Sequence, residues 1–157
     1  MNLEFSEDQK FVQKTARDFL AKHAGLDVCR RVLESPEQGY DRELWKGVAE
    51  MGWLGTAVPE AYGGAGLSHL ELVLIAQELG RALAPIPFSS SVYLATEAIL
   101  QAGSEAQKRK YLPKLTAGET IGTLALAEGL GDFDASSASG TSFDGSTVTG
   151  TKLPVGD

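Results

Sequence analysis

The side chains that most often perform acid–base, nucleophilic or metal chemistry are sparse in this sequence. The two histidines, His23 and His69, stand alone without a partner motif, and we assign neither to catalysis. Cys29 is the single cysteine, which excludes an intrachain disulfide and a cysteine-based metal site and favours a reducing compartment. The sequence has neither a Gly-x-Gly-x-x-Gly fingerprint nor a P-loop, so nicotinamide and ATP sites have no support. We therefore predict no metal site.

A group of basic residues offers a different kind of chemistry, the attraction of an anionic ligand. Lys108, Arg109, Lys110 and Lys114 lie close together in a segment with helical spacing. Such a group can steer an anion by long-range attraction. Charge runs on a helix more often form a solvated face, and the sequence leaves both interpretations open.

The overall composition narrows the class of protein. The chain has 157 residues and a formal net charge of −7, which argues against a general nucleic-acid-binding protein because such proteins present a basic face to phosphates. No apolar run approaches the roughly 20 residues that span a bilayer. The first eight residues lack the basic and apolar regions of a secretory signal. We expect a cytoplasmic protein without a membrane span.

The elements that must position any site are mostly helices. Ser6 and Ser104 each begin a capping-box pattern. The apolar spacing after Ser6 predicts a helix from about residue 7 to residue 22, and the helix after Ser104 runs towards Leu112. Other helices are predicted over residues 24–34, after Asp41, after Ser68, and from Ser89 or Ser90 to Gly103.

The composition changes near Gly118, from helix-forming residues before it to strand-forming residues after it. Residues 121–127 are predicted to form a strand. Residues 142–150 are predicted to form a hairpin, with Asp144-Gly145 supplying the positive φ angles of its turn.

We therefore predict a mainly α fold in two parts, a helical N-terminal domain over residues 1–118 and the beginning of a β domain over residues 119–157. Two or three short strands are marginal unless they pack on something else. We expect the second part to open a larger β domain and the chain to be incomplete relative to a working enzyme.

Two segments of the helical part resemble the N-terminal region of the acyl-CoA dehydrogenases. The first is the loop Pro59-Glu60-Ala61-Tyr62-Gly63-Gly64, and the second is the segment from Gly103 to Leu112. Gly145 and Gly150-Thr151-Lys152 are similar to the hairpin that opens the middle β domain of that family. The resemblance covers essentially the whole chain.

The resemblance implies a flavoenzyme that introduces an α,β double bond into an acyl-CoA thioester. Family members hold FAD between the middle β domain and a C-terminal helical domain. A glutamate, usually in the C-terminal domain, removes the α-proton while the β-hydrogen leaves as hydride to the flavin. No residue of this sequence matches that base, so the catalytic residue is unknown. The family also implies an electron-transferring flavoprotein as partner and a homo- or hetero-oligomer.

The same resemblance places the expected FAD contacts on two segments after the helices. We expect five residues to contact the cofactor: Leu124, Leu126, Ala127, Pro154 and Gly156. Both segments depart from the family pattern. Ala127 stands where the family has a threonine that hydrogen-bonds the flavin, and Asp132 and Phe133 replace a Gly-Ser pair. The aromatic residue and the threonine that usually follow the hairpin lysine are missing after Lys152.

Expected substrate contacts fall on one helix and on the loop after residue 129. The helix that begins near Ser90 corresponds to a family helix that helps to wall the acyl pocket. Val92, Thr96 and Leu100 on this helix, together with Phe133, are the candidate substrate-binding residues. Ordinary core packing is the alternative for apolar residues at helical spacing.

Three functions stay open at this stage. The first is an FAD-dependent acyl-CoA dehydrogenase or its N-terminal portion. The second, suggested by the departures in both flavin segments, is a flavin-poor, non-catalytic or half-site subunit of a heteromeric dehydrogenase. The third is a helical interaction module without a redox role.

Overall fold

The computed structural model describes residues 4–35, 37, 39–129 and 140–156. This part of the chain is mainly helical, which confirms the predicted fold class. A π-helical segment, Ser89–Thr96, continues directly into one of the α-helices, and 3-10 turns occupy Trp53–Gly55 and Glu60–Tyr62. The α-helices are α1 (Glu7–His23), α2 (Leu26–Glu34), α3 (Arg42–Glu50), α4 (His69–Arg81), α5 (Glu97–Ala102) and α6 (Glu105–Thr116).

Helix starts follow the predicted caps. The Ser6 hydroxyl accepts a hydrogen bond from the Gln9 amide at 3.2 Å, and the Gln9 side chain accepts from the Ser6 amide at 3.0 Å. Ser104 and Gln107 form the same reciprocal pair at the start of α6. Each pair satisfies two backbone donors that the first turn of a helix leaves free. The predicted starts of α1 and α6 are therefore confirmed.

The core forms where α1 packs against α4 and α3. Ala16 and Leu20 of α1 are fully buried against Ile75 of α4 and Val48 of α3. The indole N–H of Trp45, in α3, donates to the Gly118 carbonyl at 3.0 Å. A second cluster joins the loop before α4 to α6 through buried residues Val58, Leu112 and Leu115.

Glu78 of α4 is fully buried between α1 and the end of its own helix. Its carboxylate accepts hydrogen bonds from Arg17 at 2.8 Å and from Arg81 at 2.7 Å. The Arg17 guanidinium, followed by Arg81, holds the pKa of Glu78 below its usual value even though burial alone would raise it. A charged side chain can occupy the helix interface because both of its oxygens are paired.

The helix α6 extends about one turn beyond Leu112, the residue towards which it was predicted to run. The helix continues through Pro113 to Thr116. Leu115 and Thr116 are buried, and the Thr116 hydroxyl donates to the Pro113 carbonyl at 3.0 Å. The burial of these two residues therefore supports the last turn of the helix, after Pro113.

The predicted strand over residues 121–127 is also wrong. These residues are not assigned to a strand, and the neighbouring Glu128 makes an isolated parallel bridge with Leu153. A strand needs a partner along its length, and the described residues supply that partner at one point only.

The predicted hairpin is confirmed, but its turn differs from the expected one. Strands β1 (Ser142–Phe143) and β2 (Val148–Thr149) pair in antiparallel fashion. Gly145 has a positive φ of 100°, whereas Asp144 does not have a positive φ. Instead, the Asp144 carboxylate accepts from the amides of Ser146 and Thr147. Asp144 thus stabilises the turn through its side chain.

Candidate functional site

The two segments expected to hold a flavin lie side by side in the structure. The Leu153 amide donates to the Ala127 carbonyl at 2.8 Å, and the hydroxyl of Thr123 donates to the Gly156 carbonyl at 2.9 Å. We call residues 121–129 together with residues 152–156 the junction. Its two halves are distant in sequence, so the fold itself creates this surface.

A salt bridge closes the junction at one end. The Glu128 carboxylate lies 2.8 Å from the Lys152 ammonium group. It also accepts from the Thr141 hydroxyl at 2.6 Å and from the Gly140 amide at 2.6 Å. Lys152 donates a second hydrogen bond to the Leu126 carbonyl at 3.1 Å.

The same contacts decide what Glu128 can do chemically. Lys152, followed by Thr141 and Gly140, lowers the pKa of Glu128 to about 2. A carboxylate with such a low pKa and with both oxygens occupied is a poor proton acceptor. Glu128 is therefore a structural clasp, and it is unsuited to act as the base that removes a substrate proton.

The junction lies against the π-helical segment Ser89–Thr96. The Gly122 amide donates to the Ser91 hydroxyl at 3.4 Å. A Cβ atom at Gly122 would meet the Ala95 Cβ at 2.5 Å, so only glycine allows this close approach. The helix expected to wall an acyl pocket and the segment expected to contact flavin are therefore in direct contact.

The five expected cofactor residues differ in how far they are exposed to solvent. Leu124 is 42% exposed, Pro154 and Gly156 are also exposed, and Leu126 is half-buried. The Ala127 side chain is buried, so this residue offers a ligand its backbone at most.

These residues fit part of a flavin site. Leu124 and Pro154 can form an apolar wall against a planar ring. None of the five positions carries a side-chain hydroxyl or amide, and the nearby Thr123 hydroxyl already donates to Gly156. The five positions themselves can therefore offer the polar edge of a flavin only backbone N–H groups as donors.

The three expected substrate residues on the helix pack within the protein, as in the alternative of ordinary core packing. Val92 is buried in the main core. Thr96 is buried and its hydroxyl donates to the Ser91 carbonyl at 2.8 Å, five residues earlier. Leu100 packs on the second cluster. Phe133 lies outside the described residues, as do Asp132 and Asp134.

Two other residues of the same helix, which the sequence analysis did not name as candidates, are exposed or contact the junction. Leu94 is 41% exposed, and Ser91 accepts the hydrogen bond from Gly122. A π-helical turn contains one residue more than an α-helical turn. It therefore rotates the following residues relative to the face that α-helical spacing assigns to them.

The two histidines and Lys110 each contact another side chain of the protein. The His69 ring lies 2.9 Å from Glu97, and His23 stacks on Phe19 with ring centroids 4.6 Å apart. Lys110 lies 4.9 Å from the ring centroid of Tyr111. Within the described ranges, no cluster of histidine, cysteine and acidic residues could hold a metal ion, and no helix is long and apolar enough to cross a membrane.

Comparison with known protein families identifies the helical part. The family model described as acyl-CoA dehydrogenase, N-terminal domain, matches residues 6–119. Mitochondrial isovaleryl-CoA dehydrogenase from Pongo abelii is 39% identical over 125 residues, which cover 78% of this chain and 29% of that protein. Caffeyl-CoA reductase-Etf complex subunit CarC from Acetobacterium woodii is 33% identical over 142 residues, which cover 89% of this chain and 37% of that protein.

Solved structures show the same relationship. The ChsE4-ChsE5 complex from Mycobacterium tuberculosis matches with a TM-score of 0.81 and 29% identity, covering 99% of this chain and 42% of that chain. An acyl-CoA dehydrogenase from Bacillus anthracis, complexed with FAD, matches with a TM-score of 0.76 and 32% identity. The match covers 88% of this chain and 24% of that chain. The chain spans about a third of the length of the curated relatives that it matches. This chain belongs to the acyl-CoA dehydrogenase family, through the N-terminal domain of that family.

Proposed function

We propose that this chain forms the N-terminal wall of an acyl-CoA dehydrogenase that binds FAD and introduces an α,β double bond into an acyl-CoA thioester. The observation that carries the proposal is the junction, where two segments expected to contact flavin lie against the helix expected to wall the acyl group. Residues 119–157 are, in this proposal, the opening of the middle β domain.

Bound FAD would supply the hydride acceptor for the β-hydrogen of the substrate. The contribution of this chain is to bind, to orient and to exclude water. Leu124 and Pro154 provide an apolar surface that removes water from one side of the ring. Leu94 is the exposed apolar residue of the neighbouring helix. We assign no catalytic base among the described residues, since Glu128 is held as a carboxylate by Lys152.

The experiment uses the natural protein that carries this chain. Anaerobic addition of an acyl-CoA should bleach the visible absorbance of bound flavin, because the substrate reduces it. A Gly122→Ala variant should lose flavin or reduce it more slowly, since the added methyl group collides with Ala95 and separates the junction from the helix. Gly80→Ala in α4, outside the junction, is the matched control, because a Cβ there meets none of the described residues within 4 Å. Equal flavin content and bleaching rate in both variants would argue against the junction as part of the site.

The second candidate is a flavin-poor or half-site subunit that pairs with a catalytic partner. Ala127 favours it, because the methyl group is buried and replaces the hydroxyl that the family uses on flavin. The ChsE4-ChsE5 structure, which matches nearly the whole chain, is a complex of two different proteins. Such a subunit would purify alone without flavin and would restore one flavin per pair when combined with its partner.

The same proposal includes an electron-transferring flavoprotein that accepts the electrons of the reduced flavin. It also includes assembly of the protein into a homo- or hetero-oligomer. The Etf-complex subunit from Acetobacterium woodii among the relatives supports the electron-transferring flavoprotein as acceptor. Transfer of electrons from the reduced protein to an added electron-transferring flavoprotein can be followed by its absorbance. The cytoplasmic location remains a prediction.

A further inference from the structure

An apolar cavity of about 610 Å³ lies between α2 and the segment that connects α4 to the π-helical segment. Its size falls in the range of small-molecule sites, which are usually concave and mostly apolar. The walls come from α2, from Tyr40, from residues 83–87 and from Ile121. Cys29, on α2, lines the same cavity and is the only cysteine of the chain.

One residue fixes the separation of the two main walls. The Asp41 carboxylate accepts from Arg31 of α2 at 2.8 Å, and the Asp41 amide donates to the Pro85 carbonyl at 2.9 Å. Burial alone would raise the pKa of Asp41, but hydrogen bonds from Leu44 and Arg31 outweigh it and lower the pKa. An ionised Asp41 thus holds α2 and residues 83–87 apart in a fixed geometry.

Several backbone polar atoms of the wall are directed into hydrogen bonds within the protein. The Pro87 carbonyl accepts from the Ser91 amide and the Ser90 hydroxyl, both at 3.2 Å. The Ile86 amide donates to the Ala84 carbonyl at 2.9 Å. A ligand in the cavity would therefore meet hydrocarbon surface and few free donors, which selects for an apolar group.

Leu83 on the rim adopts a backbone conformation that normally favours glycine. Its φ is +50°, and α4 ends there in a Schellman arrangement, with the Ala84 amide donating to Leu79 and the Leu83 amide donating to Gly80. Glycine is the usual residue at this position because a Cβ strains the left-handed backbone. Here a leucine occupies the strained position. The Leu83 residue is 58% exposed and lines the cavity. Strained residues of this kind occur at ligand clamps.

The cavity lies next to the junction, because two residues of its lining are linked to the contact between Gly122 and Ser91. Ile121 is followed directly by Gly122, which donates to Ser91, and Pro87 accepts from the same Ser91 through its carbonyl. We propose that the cavity receives the apolar tail of a long or bulky acyl group whose thioester end lies at the junction. This inference rests on the proposed function and extends it, because it assigns the protein to large rather than short acyl-CoA substrates.

Cys29 provides the test, since its alkylation reports occupancy of the cavity without any redox readout. In the natural protein, saturating dodecanoyl-CoA should slow alkylation of Cys29 by iodoacetamide at least tenfold, while butyryl-CoA and coenzyme A leave the rate unchanged. Leu83→Gly should keep or raise the thermal midpoint, because it relieves strain, and should still weaken dodecanoyl-CoA binding several-fold. Leu67→Gly, which truncates a leucine 47% exposed in another loop, is the matched control and should leave binding unchanged.

Two results would overturn the inference. One is unchanged alkylation of Cys29 while calorimetry shows that dodecanoyl-CoA is bound, because the tail then lies elsewhere. The other is slow alkylation without ligand, which would mean that another part of the protein fills the cavity. Protection of Cys29 by dodecanoyl-CoA in a protein that neither binds flavin nor oxidises the thioester would support the cavity and overturn the dehydrogenase proposal. Flavin reduction by butyryl-CoA, without any protection of Cys29 by dodecanoyl-CoA, would support the dehydrogenase proposal and overturn the assignment of the cavity.

Discussion

Glu128 and Lys152 join two parts of the chain that are 24 residues apart, with Oε1 and Nζ separated by 2.8 Å. The Glu128 carboxylate also binds Thr141 and the Gly140 amide, while Lys152 reaches the Leu126 carbonyl. This clasp brings the two halves of the junction together through contacts of the protein itself. The surface proposed for flavin is therefore shaped before any ligand binds.

Replacing Lys152 with methionine should loosen the junction. The substitution keeps much of the side-chain volume but removes the ammonium group that binds both Glu128 and Leu126. We expect faster hydrogen exchange at the Leu153 amide, which donates to Ala127, and a lower flavin content. Lys10→Met is the control, because Lys10 forms an exposed pair with Glu7 and surface pairs contribute little. Unchanged exchange at Leu153 in the Lys152 variant would contradict the clasp.

Acid should weaken the clasp in a defined range of pH. The pKa of Glu128 is about 2 in the folded protein, against an ordinary value of 4.5. Because the folded pKa is the lower one, the stabilisation is complete above about pH 4.5 and is lost as the pH falls towards 2. Glu71, held by Ser68 and Gln9, has a pKa of about 2 and loses its contribution over the same range.

The measurement for that prediction is the thermal midpoint between pH 7 and pH 2. The unmodified protein should show a steeper decline below pH 4.5 than Glu128→Gln, which has no carboxylate to protonate at that position. Parallel declines in the two proteins would show that Glu128 makes no pH-dependent contribution.

The buried Glu78 makes the packing of α1 on α4 sensitive to its two arginine partners. Removing both Arg17 and Arg81 by alanine substitution leaves Glu78 buried without a positive partner. We expect this to lower the free energy of unfolding by about 3 kcal/mol. Urea denaturation measures it, and Lys14→Ala, which breaks an exposed pair with Asp18, should leave the midpoint unchanged. If the Arg17 and Arg81 double variant lowered the urea midpoint no more than Lys14→Ala does, Glu78 would have to be protonated or hydrated in the folded state.

Alanine substitutions at two glycines should have opposite effects. A Cβ at Gly64 would overlap the carbonyl group of Val58, so Gly64→Ala should destabilise the fold by about 2 kcal/mol. A Cβ at Gly80 in α4 meets nothing within 4 Å, and Gly80→Ala should stabilise by about 0.5–1 kcal/mol. Both values come from urea denaturation. Unchanged stability in Gly64→Ala would contradict the close approach of Gly64 to the Val58 carbonyl, and a loss of stability in Gly80→Ala would contradict the open space at Gly80.

The sequence predicted the features that depend on nearby residues. The caps at Ser6 and Ser104 act within three residues, and the pattern in the sequence contains both partners. The hairpin likewise followed from a local turn signal. Family resemblance added the two segments of the junction, and the structure brings them into contact.

The features that the sequence did not predict depend on distant contacts. The π-helical register of Ser89–Thr96 changes which side chains face outwards, and nothing local distinguishes it from an α-helix. Residues 121–127 have strand-like composition, yet a strand forms only where a partner is present. Asp41 was predicted as a helix cap, but its bonds to Arg31 and Pro85 depend on how the chain folds back.

The flavin content of the natural protein tests the central claim most directly. We expect visible absorbance that corresponds to about one FAD per chain, or about one per pair if the protein purifies with a second subunit. The absence of flavin from the protein alone and from every complex that it forms would contradict the proposal that the junction is part of a flavin site.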